Sequence, residues 1–288
     1  MIENSNQCFY QNNPRKPMTP EITVQLYSVR DDAAKDYEAT IRAIADMGFG
    51  CVEPAGYPGS SAKVASALFK ELGLRAPSAH IGLPIGENKN KILDEAQLMG
   101  HEAIITGCPP RFKEHYVSLD EVRKLADLYS EGAANAAEVG IQVGYHNHDW
   151  DLCEIDGVRG YKVFLENTPE SVLFEADLFW VARAGLDPAD FVKEIGPRGK
   201  FLHGKDGRVK EEATFVEKET EDGKIMVSDS IPFLPAGTGQ VDLKAAAAVA
   251  EYTQYIAVEL DSYEGNMMQA VKESYDYLTS TGIAKGNK

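Results

Sequence analysis

The feature that constrains this chain most is a repeated alternation of short apolar runs with longer amphipathic segments. In the segment 61–73, for example, Val64, Leu68 and Leu72 recur at the spacing of one helix face. Alternation of strands and helices within one chain is typical of a parallel sheet covered by helices. The strand-like runs number eight and lie at 22–29, 51–56, 75–81, 103–107, 141–152, 172–180, 200–206 and 256–261. Eight such units predict a closed (β/α)8 barrel, the TIM-barrel architecture.

Helix-length segments separate most of these runs and fit the same α/β fold. They lie at 36–48, 61–73, 118–140, 160–170, 187–196, 242–253 and 266–282. The chain has 288 residues, and one α/β barrel commonly uses about 250. We therefore expect a single barrel domain over 21–284, preceded by a polar arm at 1–20.

A polar and charged stretch at 207–235 interrupts this rhythm and predicts a loop insertion. Its two alternating runs, in "ATFVEKETEDGKIMV", surround "EDGK" and indicate a hairpin. Connections longer than about 12–15 residues are usually functional or disordered. The functional interpretation is a lid or wall over the substrate, and the alternative is a solvated excursion.

The charge and the cysteine content narrow the classes of function. The sequence carries 45 acidic and 29 basic residues, a formal net charge of −16, so we expect no nucleic-acid partner. No apolar run approaches the roughly 18 residues of a membrane span, so no membrane partner is expected. The four cysteines form no C-x-x-C pair, and the N-terminus lacks the apolar segment of a secretory signal. We therefore predict a cytoplasmic protein with reduced thiols.

Ionisable side chains gather where the predicted strands end, which is the catalytic face of such a barrel. Four of the six histidines are among them. His146 and His148 share one side of an extended segment, whereas Asn147 points away. Mixed imidazole and carboxylate ligands suit one divalent metal such as Mn²⁺, Co²⁺, Fe²⁺ or Zn²⁺. The strand-end residues are Glu53, His80, His146, His148, Asp177, Trp180, His203, Lys205, Asp206, Glu259 and Asp261.

Each of these residues also has a structural explanation when it is taken alone. A lone histidine can be a hydrogen-bonded structural residue, Asp177 can cap a loop, and Trp180 can pack in the core. Lys205 can form a salt bridge to Asp206 or Asp177. The set as a whole favours function, because a core seldom buries this many ionisable groups without a purpose.

At these residues the sequence resembles the xylose-isomerase-like sugar phosphate isomerase/epimerase family, which includes the inosose dehydratases. The resemblance covers roughly residues 20–283 and implies the same barrel fold. It depends on an ordered set of motifs: "QLYSVRD", "GYHNHDWD", "EADLFWVARAGLDP", "LHGKDG", "PAGTGQVDL" and "VELD".

The resemblance implies a single divalent metal with one ligand from each of strands five to eight. Strand five carries histidine where the family usually has glutamate, which leaves His146 and His148 as alternative ligands. We prefer His146 for the metal and His148 for proton transfer. Carried over by position, the predicted metal ligands are His146, Asp177, His203 and Glu259. The predicted catalytic residues are His148, Glu259 and Lys205, and the predicted substrate-binding residues are Glu53, His80, Trp180 and Asp261.

The resemblance also implies the reaction, on a small sugar or cyclitol with a carbonyl beside a carbon-bound hydrogen. A Lewis-acidic metal stabilises an enediolate, a base removes the α-proton, and return of the proton gives isomerisation or epimerisation. Loss of a β-substituent from the same enediolate would make the enzyme a dehydratase or eliminase, and the second histidine at strand five favours this alternative slightly. A non-catalytic sugar-binding barrel is a third interpretation. The negative charge disfavours a repair endonuclease on this barrel, and the arm at 1–20 leaves a homo-oligomer open.

Overall fold

The computed structural model describes residues 18–107, 109, 112–209, 215–220, 223–228 and 231–287. The predicted arm at 1–20 therefore lies outside the described residues except for its last three. Within the described ranges, no helix is both long and apolar enough to cross a membrane.

Parallel strands form a barrel whose positions follow the predicted order. They are β1 (Glu21–Val24), β2 (51–53), β3 (Ser78–His80), β4 (Ala103–Thr106), β5 (Gln142–His146), β6 (Leu173–Asp177), β7 (Phe201–His203) and β8 (Tyr255–Val258). Seven of them make one continuous parallel sheet in the order β1-β8-β7-β6-β5-β4-β3.

The segment β2 closes this sheet through isolated parallel bridges. Glu53 pairs with Gln25 just beyond β1, and Cys51 pairs with Arg75 just before β3. The backbone N–H of Glu53 donates to Val24 at 2.8 Å, and the N–H of Val52 donates to Arg75 at 2.9 Å. The prediction of a (β/α)8 barrel is therefore confirmed.

Helices cover the outside of the barrel, and each predicted helical segment contains one. They are α1 (Arg30–Lys35), α2 (Tyr37–Met47), α3 (Ala62–Leu72), α4 (Lys89–Met99), α5 (Phe112–His115), α6 (Leu119–Ala137), α7 (Gly160–Asn167), α8 (Leu178–Arg183), α9 (Pro188–Ile195), α10 (Leu243–Ala248) and α11 (Met267–Ser280). The sequence analysis assigned no helix at α4, which occupies the βα position between β3 and β4.

Several predicted strands are too long at their carboxyl ends, among them 22–29, 141–152, 172–180, 200–206 and 256–261. The run 172–180 was predicted as one strand, but β6 ends at Asp177 and α8 begins at Leu178. The change of structure occurs there because Asp177 Oδ1 accepts hydrogen bonds from the backbone N–H groups of Phe179 and Trp180, which caps the helix. The run 141–152 is extended only over β5 and then forms a 3₁₀ turn at Trp150–Leu152.

Side chains that point into the barrel change from apolar to ionisable along the strands. Strand β6 shows the pattern, because Leu173, Glu175 and Asp177 share the interior face by alternation. At the amino-terminal end the interior is filled by the apolar cluster Cys51, Ala103, Ile105, Leu173, Phe201 and Tyr255. Toward the carboxyl ends it becomes a layer of imidazoles and carboxylates, which places the site.

The insertion at 207–235 contains the predicted hairpin. Strand 215–220 pairs antiparallel with strand 223–228, and Thr220 lies opposite Gly223. A second short antiparallel pair joins Asp206–Gly207 to Phe233–Leu234 at the base of the insertion. Both ends of the insertion therefore leave the barrel side by side, next to the carboxyl end of β7.

Candidate metal centre and active site

Four side chains from β5 to β8 meet at the carboxyl end of the barrel. His146, Asp177, His203 and Glu259 each offer one ligand atom, and these atoms all lie within 4.8 Å of one another. Asp177 Oδ2 is 4.0 Å from His146 Nε2 and 3.9 Å from His203 Nδ1. His203 Nδ1 lies 2.7 Å from Glu259 Oε2. All four residues are buried. These are the four residues that the resemblance predicted as metal ligands, and the structure brings them together; their binding of a metal stays a prediction.

Hydrogen bonds from two neighbouring elements hold the Asp177 carboxylate in this position. Its Oδ1 accepts hydrogen bonds from the backbone N–H groups at the start of α8, and its backbone N–H donates to Asn147 Oδ1 at 3.0 Å. Asn147 Nδ2 in turn donates to the Asp177 carbonyl oxygen. The remaining oxygen, Oδ2, is buried and has no hydrogen bond among the described residues, although Lys205 Nζ lies 3.0 Å away. A buried carboxylate oxygen that faces two imidazoles without a hydrogen bond to either ring fits a cation site.

Lys205 lies beside the four residues and is almost fully enclosed, with 1% exposure. Its Nζ is 2.8–3.0 Å from oxygens of Asp177, Glu259 and Asp261. Burial alone would lower the pKa of Lys205, but the three carboxylates raise it well above its ordinary value. The ammonium group is therefore charged. A salt bridge between Lys205 and Asp177 was one of the structural alternatives raised by the sequence, and this salt bridge is present.

Asp206 has a separate structural role. Its carboxylate accepts hydrogen bonds from the backbone N–H groups of Gly207, Gly237, Gly239 and Val241. These contacts fold the "PAGTGQVDL" segment against the end of β7. The side chain is therefore engaged by a loop and does not pair with Lys205.

Another interior carboxylate, that of Glu175 on β6, lies beneath the four clustered residues, and the sequence analysis did not predict it. Its Oε2 is 2.6 Å from His80 Nε2, 3.1 Å from His146 Nδ1 and 3.1 Å from His203 Nε2. Burial would raise the pKa of Glu175, but the neighbouring His203 and His80 lower it well below its ordinary value. The alternation from Asp177 was a signal that could have identified this residue.

Glu53 lies deeper than the sequence analysis expected. It is fully buried, and its carboxylate accepts hydrogen bonds from Gln25, Ser78 and the His203 ring. The structure therefore places Glu53 among protein partners rather than at a substrate-facing wall. His80, by contrast, is part-exposed and reaches the cavity described next.

A cavity of about 450 Å³ opens above the four residues. Of the predicted site residues, it is lined by His80, His146, His148, Glu259 and Asp261. Apolar side chains also line it, including those of Ala55, Ile81 and Ile105. Such a volume is large enough for a small-molecule ligand.

His148 lies at this cavity and not among the four clustered residues. Its ring stacks on Trp150, with ring centroids 4.1 Å apart. The buried carboxylate of Asp151 accepts the His148 backbone N–H at 2.7 Å, and its Oδ2 is 3.6 Å from His148 Nδ1. Trp180, predicted to bind substrate, is buried with its ring 5.3 Å from Lys205 Nζ. In that position the Trp180 ring lies beside the Lys205 ammonium group and contributes to the packing of α8.

Neither a described protein family nor a curated protein matches the sequence, but solved structures do. A sugar phosphate isomerase/epimerase from Parabacteroides distasonis is 18% identical, with 94% of this chain and 97% of that chain covered and a TM-score of 0.69. The IolI protein, solved with a bound zinc atom, is 12% identical over 91% of this chain and 98% of its own, with a TM-score of 0.65. A probable 3-DHS dehydratase from Bacillus anthracis, AsbF, is 13% identical over 90% of this chain and 98% of its own, with a TM-score of 0.62.

These likenesses establish the fold. The chain is a (β/α)8 barrel with the same fold as these structures, and it carries a buried cluster of imidazoles and carboxylates at the carboxyl ends of its strands.

Proposed function

We propose that this chain is a divalent-metal-dependent sugar or cyclitol isomerase or epimerase that abstracts a proton beside a carbonyl group. The observation that carries the proposal is the cluster of His146, Asp177, His203 and Glu259, buried beneath a cavity of about 450 Å³. Solved structures of the same fold include a sugar phosphate isomerase/epimerase and a zinc-bound IolI protein, which supports it. The substrate would be a small molecule, and a cytoplasmic location stays a prediction.

The charge of the site favours a bound cation. Five carboxylates (Glu53, Glu175, Asp177, Glu259 and Asp261) lie close together, and among the described residues around them the one aliphatic ammonium group is Lys205. Burying charges without compensation is costly. Two imidazole nitrogens and two carboxylate oxygens suit a transition metal such as Mn²⁺, Co²⁺, Fe²⁺ or Zn²⁺.

A second group of potential ligands, His80, His146, Glu175 and His203, shares two residues with the first. In that group Glu175 Oε2 already lies at hydrogen-bond distance from all three rings. In the upper group Asp177 Oδ2 is paired with Lys205 Nζ at 3.0 Å but stands 3.9–4.0 Å from the two ring nitrogens, which leaves space for an ion between them. We therefore assign the metal to His146, Asp177, His203 and Glu259.

The side chains around this position suit α-proton chemistry. When bound, the cation would act as a Lewis acid toward the substrate carbonyl. Burial and the neighbouring His203 hold the pKa of His146 well below its ordinary value, so its ring is neutral and offers a lone pair. His148, backed by Asp151 and facing the cavity, is the proposed base, and Lys205 supplies fixed positive charge beside Glu259. His80 and Asp261 line the cavity and would orient hydroxyl groups.

Elimination is the second candidate, and one observation favours it. The two acid–base groups at the cavity are chemically different, because His148 is an imidazole and Glu259 is a carboxylate bonded to Lys205. In isomerases of the family that the sequence resembles, two metal-bound glutamates can serve as the proton-transferring pair, and here only Glu259 remains of that pair, so His148 would have to be the second acid or base. The probable dehydratase among the structures of this fold is consistent with this alternative.

Metal content and proton exchange test the proposal together. The purified protein should contain one equivalent of divalent metal, and Asp177→Ala and His203→Ala should lose it, because removal of a ligand weakens a site by more than the 10–100-fold seen for outer contacts. Incubation in D₂O with a panel of inososes and 3-keto-sugars should place deuterium at the carbon beside the carbonyl. Full metal occupancy in both variants would refute the assignment, and binding of sugars without exchange would favour a non-catalytic barrel.

A further inference from the structure

The carboxylate of Glu175 contacts three imidazoles of the site at once. A single oxygen, Oε2, serves His80, His146 and His203 at 2.6–3.1 Å. Glu175 and the rings of His146 and His203 are all buried, with 0–2% exposure.

These contacts determine which ring nitrogens face Asp177 and Glu259. A carboxylate accepts hydrogen bonds, so Glu175 favours a proton on His146 Nδ1 and on His203 Nε2. The opposite nitrogens, His146 Nε2 and His203 Nδ1, are the ones turned toward Asp177 Oδ2 and Glu259 Oε2. Glu175 therefore favours one tautomer and one rotation of each ring, and at His203 Nε2 it shares this role with Glu53 Oε1, which lies 2.9 Å away.

We propose that Glu175 is the positioning residue of the metal centre: it orients His146 and His203 so that each presents its ligating nitrogen to the ion, without binding the ion itself. This inference depends on the proposed function, because it assigns a role toward the same metal. The backbone of β6 makes the arrangement possible, since Glu175 and the ligand Asp177 are two residues apart on one interior face.

Cobalt titration of the metal-stripped protein tests this role directly. Glu175→Gln keeps the size of the side chain but loses the charge and half of its accepting capacity. We expect the Kd for Co²⁺ to rise about 10–100-fold, which is the usual cost of removing a carboxylate that supports a ligating histidine. The visible absorption bands of the bound Co²⁺ should also change, because the two rings lose their fixed orientation. A purely structural role would leave the bands unchanged.

His80→Gln is the matched control. His80 contacts the same Glu175 oxygen but is not among the four assigned ligands, so this variant should keep the native Co²⁺ affinity. Circular dichroism of each metal-free variant, with its thermal midpoint, shows whether the barrel is folded before titration.

The outcomes distinguish a failure of this inference from a failure of the proposed function. Native Co²⁺ affinity and spectrum in folded Glu175→Gln would overturn this inference and leave the proposed function standing. Equal losses in Glu175→Gln and His80→Gln, with affinity kept in Asp177→Asn, would show that the ion sits among the lower residues and that Glu175 is a ligand. Absence of Co²⁺ binding by the native protein would overturn the proposed function and this inference with it.

Discussion

Asp177 shows how a single residue ends a strand and prepares a ligand. Its Oδ1 caps α8, its backbone pairs with the Asn147 side chain, and its Oδ2 is left without a hydrogen bond among the described residues. Burial raises the pKa of Asp177, with a further contribution from Glu259, although Lys205 opposes both. A cation that binds here would therefore compete with a proton, and affinity should fall as the pH is lowered.

At the same scale, His148 is predicted to move protons and not to bind the metal. It lies outside the four clustered residues, and its ring is held by Trp150 and by the buried Asp151. His148→Asn should keep the metal, while the rate of α-proton exchange falls roughly 10²–10⁴-fold, the usual contribution of a positioned acid or base. Metal analysis and deuterium incorporation on the same preparation measure both effects.

His146→Asn is the comparison for this variant, because its ring belongs to the four. It should lose metal and exchange activity together. Loss of metal from His148→Asn, with metal retained in His146→Asn, would show that the two imidazoles have the opposite roles.

Residues at strand ends could be predicted from the sequence, whereas those that act through another residue could not. His146, His203 and Glu259 follow apolar runs, so their position at the barrel mouth follows from the fold. Glu175 lies inside an apolar run, and Asn147 acts through the backbone of Asp177. Their roles depend on the register between β5 and β6, where His146 lies opposite Glu175, and register is a property of the folded sheet.

At the scale of elements, strongly periodic segments were predicted well and weakly periodic ones were not. Helix α4 buries only Leu93 and Ala96 on its apolar face, so the sequence shows little amphipathicity there. The helix is stabilised by its packing on α3, which the sequence of α4 alone does not encode. The segment β2 was predicted as a strand. It pairs with its two neighbours through one isolated bridge each, at Glu53 and at Cys51, and forms no continuous ladder with either.

The insertion is the element whose predicted role as a lid stays open to experiment. Its base is a paired ribbon, with Gly207 opposite Phe233, and the N–H of Arg208 donates to Pro232 at 3.1 Å. A short Gly/Ser linker in place of 209–230 should therefore span the gap without strain. The barrel and the metal content should be unchanged, whereas KM or the choice among sugars in the exchange assay should change, since the insertion leaves the barrel at its catalytic end.

Two measurements make this deletion interpretable. Circular dichroism and metal analysis should match those of the native protein, because no barrel strand is altered. Unchanged kinetics on the best substrate would eliminate the lid and leave the insertion as a solvated excursion.

At the scale of the whole molecule, the excess of acidic residues continues into the interior. The formal net charge is −16, and the carboxylates of Glu175, Asp177 and Glu259 are buried in the barrel. The hydrophobic core, which contains 69 buried hydrophobic residues among those described, must offset their mutual repulsion in the metal-free state. A bound divalent cation should relieve part of that repulsion, so the stability of the fold and the occupancy of the site should be linked.

Thermal unfolding tests this linkage. A metal that binds only the folded state adds about 2.7 kcal/mol to the free energy of unfolding at 100 times its Kd. For a domain of 150–250 residues each kcal/mol raises Tm by about 2–4 °C, so saturation should raise the Tm of this chain by roughly 5–10 °C. The gain should disappear after chelation, and Asp177→Ala should show none at the same metal concentration because it lacks one of the four proposed ligands. An equal rise in Tm for native protein and Asp177→Ala would mean that the metal binds elsewhere on the acidic surface.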